Sequence, residues 1–286
     1  MSAVIRIDAH HHLWNLSARP QDWLDEPALE PIRRDFGPAE LRAVTQRAGV
    51  DATVLVQVLP DVEETAEFLA LADSFDLVAG VVGWVDLTAP DVAEQLDRLR
   101  RGPGGDRLTG VRHLVQSEPD PDWLVRPDVL AGLRAVRDAG LVYDVLTRPH
   151  QLPAALEAVR AVPDMVFVLD HLSKPDIAGQ EVEPWATRLA ELAAEPNVVA
   201  KVSGLVTEAD WSRWTAADLR PYVDIALEAF GPDRLMVGSD WPVCLLAADY
   251  ERVFATAAEL LDGCSTAERD QVFGGTAARV YGVRTG

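Results

Sequence analysis

Val4-Ile5-Arg6-Ile7-Asp8-Ala9-His10-His11-His12-Leu13-Trp14 reads as a short apolar strand, Val4–Ala9, that runs straight into a cluster of polar side chains. No glycine-rich turn follows it, and a doubly wound open sheet would carry its phosphate-binding turn there. The same grammar recurs downstream, with strands expected at Thr53–Val58, Leu77–Trp84, Thr109–His113, Val142–Thr147, Val166–Asp170, Val198–Val202 and Arg234–Ser239. Helical periodicity fills the intervals, as in Pro38–Ala48, Asp91–Arg101, Pro127–Ala139, Pro153–Val162, Glu183–Ala194, Leu219–Phe230 and Asp249–Leu261. Eight βα units repeating every ~32 residues predict an α/β protein of one domain, a (β/α)8 TIM barrel over residues 1–286. The stretch at about 13–37 lacks clean periodicity and is expected to lie as a long loop over the barrel mouth.

The chain has 286 residues, of which 48% are hydrophobic, enough for one large core. Its 26 basic and 46 acidic residues leave a formal charge of −20, which argues against nucleic acid or an anionic membrane as partner and for a small molecule. Two cysteines, Cys244 and Cys264, form neither a disulfide framework nor a thiolate zinc motif. The N-terminus reads as neither a signal peptide nor an anchor, and a cytoplasmic location is expected. Oligomeric state leaves no mark in the sequence.

Barrel enzymes build their sites at the C-terminal ends of the strands, and all six histidines fall at or just past such ends. Alternate strand residues share a face, so His10 and His12 point together into the mouth while His11 packs away from it. Strand six ends in Leu169-Asp170-His171-Leu172-Ser173-Lys174-Pro175 and strand eight in Val237-Gly238-Ser239-Asp240-Trp241-Pro242. Arg112, beside His113 on strand four, and Lys201 on strand seven are costly to bury without anionic partners and are expected at the polar mouth. For Arg112 the alternatives are a substrate contact or a structural ion pair with Asp144 or Asp240. Trp14, Trp84 and Trp241 fall near strand ends, where an indole face is open to stack on a ligand ring, with core packing the alternative for Trp84.

Together, "DAHHHLW", "GVRH", "LDHLSKP" and "GSDWPV" resemble the amidohydrolase superfamily, a group of metal-dependent-hydrolase barrels, over Asp8 to about Tyr281. The likeness is to its sugar-lactonase branch, which includes L-fuconolactonase, L-rhamnonolactonase and 2-pyrone-4,6-dicarboxylate lactonase. That resemblance implies a carboxylic-ester hydrolase of carbohydrate catabolism that opens an aldono-1,4- or 1,5-lactone to the free acid. Asp240 would activate water, His10, His12 and His171 would line the reacting carbonyl, and Arg112 would orient it. Trp14, Trp84, His113, Lys201 and Trp241 are the expected substrate contacts. The cofactor expectation is none, or one weakly bound Zn²⁺ or Mn²⁺ on His10, His12 and Asp240, two imidazoles and a carboxylate being a sufficient primary set. The alternatives are a metal-dependent decarboxylase of the same superfamily and a lactonase acting on a pyrone dicarboxylate.

Overall fold

The computed structural model describes residues 5–283, so the expected start of the first strand at Val4 lies outside the described residues. Eight parallel strands follow one another round a single sheet in chain order: β1 Ile7–His11, β2 Ala52–Val56, β3 Val78–Gly83, β4 Leu108–His113, β5 Val142–Val145, β6 Phe167–Leu169, β7 Val198–Val202 and β8 Leu235–Val237. The last strand meets the first: the His12 N–H donates to the Trp241 carbonyl at 2.7 Å and the Asp240 N–H to the His10 carbonyl at 2.8 Å. The architecture is therefore the TIM barrel and not the open sheet. Strands six and eight are shorter than expected because the chain leaves the ladder at Asp170 and at Gly238 to deliver their site residues.

The outer layer consists of α1 Pro38–Ala48, α2 Val62–Ser74, α3 Val92–Arg101, α4 Pro127–Asp138, α5 Leu152–Ala161, α6 Trp185–Ala193, α7 Ala216–Phe230 and α8 Tyr250–Leu260. Proline in the first turn of α1, α4 and α5 costs no hydrogen bond, because the first amides of a helix have no intrahelical partner. Alternation along the strands divides the apolar side chains. Leu55, Val81 and Val111 pack outward among the helices, whereas Val54, Val56, Val142, Val168, Val199 and Met236 form a second cluster.

After Leu261, where the periodicity assigns no element, the chain folds as α9 Thr266–Asp270, a π-helical turn Gln271–Gly275 and α10 Thr276–Tyr281. Ala277 and Tyr281 of α10 join the second cluster and close the barrel from below. The Tyr281 hydroxyl donates to Asp144 at 2.8 Å, inside the barrel. Replacing Tyr281 with Phe removes this donor but leaves Asp144 on Lys201, so the expected loss is about 1–2 kcal/mol. A urea midpoint unchanged from wild type would show that the hydroxyl adds nothing to the plug.

Asp8, the first carboxylate of β1, fastens β8 to β1. Its side chain accepts from the Ser239 N–H at 2.8 Å, the Ser239 hydroxyl at 2.6 Å and the Tyr250 hydroxyl at 2.9 Å, while burial pushes its pKa up to about 6. Gly238 makes this seam possible, since a Cβ there would lie 2.7 Å from the His10 Cβ.

Candidate active site

Six side chains from five strand ends meet under the mouth. His10 and His12 turn inward from β1, where the register with β2 slips between Asp8 and His11. His11 points the other way and bonds the Thr53 hydroxyl at 2.9 Å, as alternation requires. His12 Nδ1 faces the Val56 carbonyl at 2.8 Å; a carbonyl only accepts, so Nδ1 carries the proton and Nε2 presents a lone pair to the site.

His171 arrives by an uncommon route. Residues His171, Leu172, Ser173 and Lys174 all adopt left-handed backbone, with φ of 54°, 51°, 60° and 52°. Each such residue costs about 1–2 kcal/mol and persists only where its surroundings over-determine it. Here the Trp185 indole donates to the Leu172 carbonyl at 2.7 Å, and the Ser173 hydroxyl pairs with that of Thr147 at 2.9 Å. The turn aims His171 at Asp240, which is itself left-handed at φ 56°, while Ser203 holds His171 Nδ1 at 2.8 Å. Gly204 leaves the room: a Cβ there would stand 2.7 Å from His171 Nδ1 and 3.1 Å from Asp240 Oδ2.

The Nε2 atoms of His10, His12 and His171 lie 3.8, 3.4 and 3.9 Å from Asp240 Oδ1, and those of His10 and His12 are 3.2 Å apart. Tetrahedral Zn²⁺ with bonds of 2.0–2.1 Å spaces its ligands about 3.3 Å apart, so His10, His12 and Asp240 form a buried donor set of the right chemistry and size for one divalent ion. His171 stands close to this set on the Asp240 side.

Burial shapes the proton affinities. It pushes His171 down to about 4 and lowers His10 as well, so both imidazoles are neutral at neutral pH. Burial works to raise Asp240, yet the imidazoles of His171, His10 and His12 around it outweigh burial and hold the carboxyl below the usual range, ionised throughout the working pH range.

Beneath this layer lies a second, fully polar one. Arg112 donates to Asp170 at 3.1 Å and to the Gln57 carbonyl at 2.5 Å, and its Nη1 stands 3.3 Å from His10 Nε2. Its anionic partner is thus Asp170, neither Asp144 nor Asp240. Lys201 is fully buried, 2.5 Å from Asp144, 3.0 Å from Asp170 and 3.0 Å from His10 Nδ1. The expectation of Lys201 at the mouth as a substrate contact is corrected, because hydrogen bonds to Asp144 and His10 and the ion pair with Asp170 hold it, fully buried, below the histidines.

Above the cluster opens a cavity of about 640 Å³. His12, Arg112, His171 and Asp240 are at its floor, and Trp14, Trp23, Leu59, Leu114, Leu146 and Lys174 are among its walls. Pro20, Asp22 and Trp23 reach it from the segment after β1, whose backbone forms two 3-10 turns, Asp22–Asp25 and Pro27–Ile32. Of the expected substrate tryptophans only Trp14 lines this space. Trp241 is 1% exposed and packs edge-on against Phe36. Trp84 donates to His113 at 3.0 Å, and His113, stacked on Trp123 and bonded to Glu118 at 2.7 Å, is taken up by that cluster beside the cavity. Trp241 is thereby corrected to a core residue, while Trp84 and His113 stand outside the lining of this cavity. Trp23, Lys174, Asp170, Asp144 and Gln57 were not singled out as site residues. A carboxylate inside an otherwise apolar strand, as in Val142-Tyr143-Asp144-Val145, was the available signal for the buried layer.

Comparison with known proteins gives concordant results. A family model described as "Amidohydrolase" matches residues 7–283. The L-fucono-1,5-lactonase of Burkholderia multivorans is 42% identical over 97% of this chain and 96% of its own length. That of Burkholderia ambifaria is 39% identical, over 96% and 95%. A crystal structure of a Burkholderia multivorans amidohydrolase with bound zinc superposes with a TM-score of 0.93 at 38% identity, over 98% of this chain and all of that one.

Proposed function

Because this chain belongs to the amidohydrolase family, we propose that it is a lactonase that opens a sugar-acid lactone, such as L-fucono- or L-rhamnonolactone, to the free acid in the cytoplasm. The observation that carries the reading is the gathering of Asp240, His12, His171 and Arg112 on the floor of a cavity sized for a monosaccharide ring, with His10 buried behind them. The two cysteines are free, and among the described residues no helix is long and apolar enough to cross a membrane.

Ester hydrolysis needs a base for water, a cation or hydrogen-bond donors for the carbonyl oxygen, and a proton for the departing alkoxide. Asp240 takes a proton from water as its oxygen bonds the lactone carbonyl carbon. Negative charge then gathers on the carbonyl oxygen, where Arg112 stabilises it. On collapse the ring C–O bond breaks, and Asp240 or a neighbouring histidine returns the proton to the ring oxygen. His12 is held by Val56 and His171 by Ser203, so neither ring reorients during these transfers. A divalent ion bound by His10, His12 and Asp240 would supply Lewis acidity toward the carbonyl and the water.

The charge inventory of the cavity favours a neutral ring over a pyrone dicarboxylate. Arg112 is committed to Asp170 and Lys201 to Asp144, while Asp22, Asp61 and Asp240 share the walls with Lys174. Two carboxylates would find few uncommitted cations there. Leu59, Leu114 and Leu146 in the lining, beside the polar groups, suit a deoxy sugar.

The test is hydrolysis of L- and D-aldonolactones and 2-pyrone-4,6-dicarboxylate, followed with a pH indicator before and after chelation. Turnover is expected with a 6-deoxy-L-aldonolactone and to be slow or absent with the dicarboxylate. Absence of turnover on every lactone, with or without added Zn²⁺ or Mn²⁺, overturns the lactonase reading.

A further inference from the structure

The contacts of His10 are not all compatible with one another. A neutral imidazole carries one N–H and one lone pair, and His10 has a partner wanting each arrangement. Lys201 only donates, and its Nζ stands 3.0 Å from His10 Nδ1, so this contact makes Nδ1 the acceptor and puts the proton on Nε2. His12 agrees: with its own proton on Nδ1, its Nε2 offers a lone pair 3.2 Å from His10 Nε2. The opposite tautomer would send Nδ1–H toward Asp170 Oδ1 at 3.3 Å and turn the Nε2 lone pair toward Arg112 at 3.3 Å. Those contacts are longer, Asp170 Oδ1 has no aligned hydrogen-bond partner, and Arg112 Nη1 already serves Asp170 Oδ2 at 3.1 Å.

The arrangement bears on the metal site because only the second tautomer leaves His10 Nε2 free to ligate an ion. Lys201 donates hydrogen bonds to Asp144 and to His10 Nδ1 and stands 3.0 Å from Asp170 Oδ1 as an ion pair. If Nδ1 gains a proton, an ammonium hydrogen and an imidazole hydrogen face each other in a site from which water is excluded.

We propose that Lys201 is a positioning residue that holds His10 in the Nε2–H tautomer, and that it thereby weakens divalent-ion binding at His10, His12 and Asp240. With an ion held by His10, His12 and Asp240, the His10 proton would sit on Nδ1 in place of Nε2, with Asp170 as its acceptor and Lys201 kept by Asp144. No group changes its charge, and no proton is lost at this ring. The device makes the site switchable between a hydrogen-bonded floor and an ion-binding one. The inference rests on His10, His12 and Asp240 being the donor set and not on which lactone is hydrolysed, so its readouts stand apart from turnover.

Two measurements test it. In protein labelled with ¹⁵N-histidine, two-bond ¹H–¹⁵N spectra report the tautomer of each of the six histidines, with the His10 signals identified by their loss in His10→Gln. The chelated wild type is expected to show His10 as Nε2–H and to switch to Nδ1–H on titration with Zn²⁺. Competition with a chromophoric chelator then gives the Zn²⁺ dissociation constant. Lys201→Met is expected to bind Zn²⁺ more tightly by about 10- to 100-fold, the range over which partners of metal-ligating histidines act. Loss of a nearby cation by itself tightens binding of a divalent ion, so the charge-neutral variant Lys201→Met/Asp144→Asn and the tautomer spectra decide: a lysine that merely balanced charge would leave affinity in the double variant and the His10 tautomer unchanged. Because Lys201→Met leaves two buried carboxylates short of a cation, Lys201→Met/Asp144→Asn serves as a second variant with the same expected sign. A His10 that is Nδ1–H without metal overturns the proposal, as does unchanged or weaker Zn²⁺ binding in the folded variants.

Discussion

Asp240→Asn is expected to lower kcat/KM by 10² to 10⁴, the usual worth of a positioned general base. The amide is nearly isosteric, so the loss should come without unfolding. The main chain of Asp240 is fixed by its N–H on the His10 carbonyl at 2.8 Å and by the Cys244 N–H donating back to the Asp240 carbonyl at 2.9 Å, and neither bond uses the side chain. The pH profile sharpens the expectation. Asp240 is held below the usual carboxylate range, so the base form persists into acid, and activity should not begin to fall until well below pH 5. A group this acidic is a modest base. It can deprotonate water only while the carbonyl oxygen is being stabilised at the same moment, which ties Asp240 to the cationic floor beneath it. Near-wild-type turnover in Asp240→Asn, measured alongside an unchanged melting curve, would remove Asp240 from the role of base.

How much of this was legible beforehand follows from the range of the interactions involved. The barrel was readable because its signal is local: β-branched runs, proline at helix starts and a regular spacing all lie within one βα unit. The pointing of His10 and His12 against His11 was readable for the same reason, since alternation is a property of a single strand. Contacts set by partners far along the chain were not. Nothing near Lys201 announces Asp144, which is 57 positions away, nor Tyr281 behind it. A lysine among valines therefore looked like a mouth residue when it is a buried one. Trp241 misled in a related way: it follows Asp240 directly, but the left-handed backbone of Asp240 turns the next side chain out of the cavity and onto Phe36. The left-handed run from His171 to Lys174 contains no glycine, so its conformation is dictated by Trp185 and Thr147 and is invisible in the local sequence.

Arg112→Ala is expected to cost about 3–5 kcal/mol of stability, because it strips a cation from a carboxylate that is fully buried. The guanidinium also hydrogen-bonds the Gln57 carbonyl, while the Gln57 amide returns a bond to the Arg112 carbonyl at 3.1 Å, so the ends of β2 and β4 loosen together. Activity should fall as well, and the question is whether it falls only because the floor has moved. The double variant Arg112→Ala/Asp170→Asn separates the two effects. Neutralising Asp170 removes the excess negative charge that Lys201 would otherwise have to balance for both Asp144 and Asp170, so most of the lost stability should return. If Arg112 also stabilises the charge that develops on the carbonyl oxygen, kcat/KM stays depressed by the 10² to 10³ typical of a lost oxyanion donor despite the restored melting temperature. Recovery of activity together with stability would leave Arg112 as a structural partner of Asp170 and would shift the stabilisation of the carbonyl oxygen to the histidines above it.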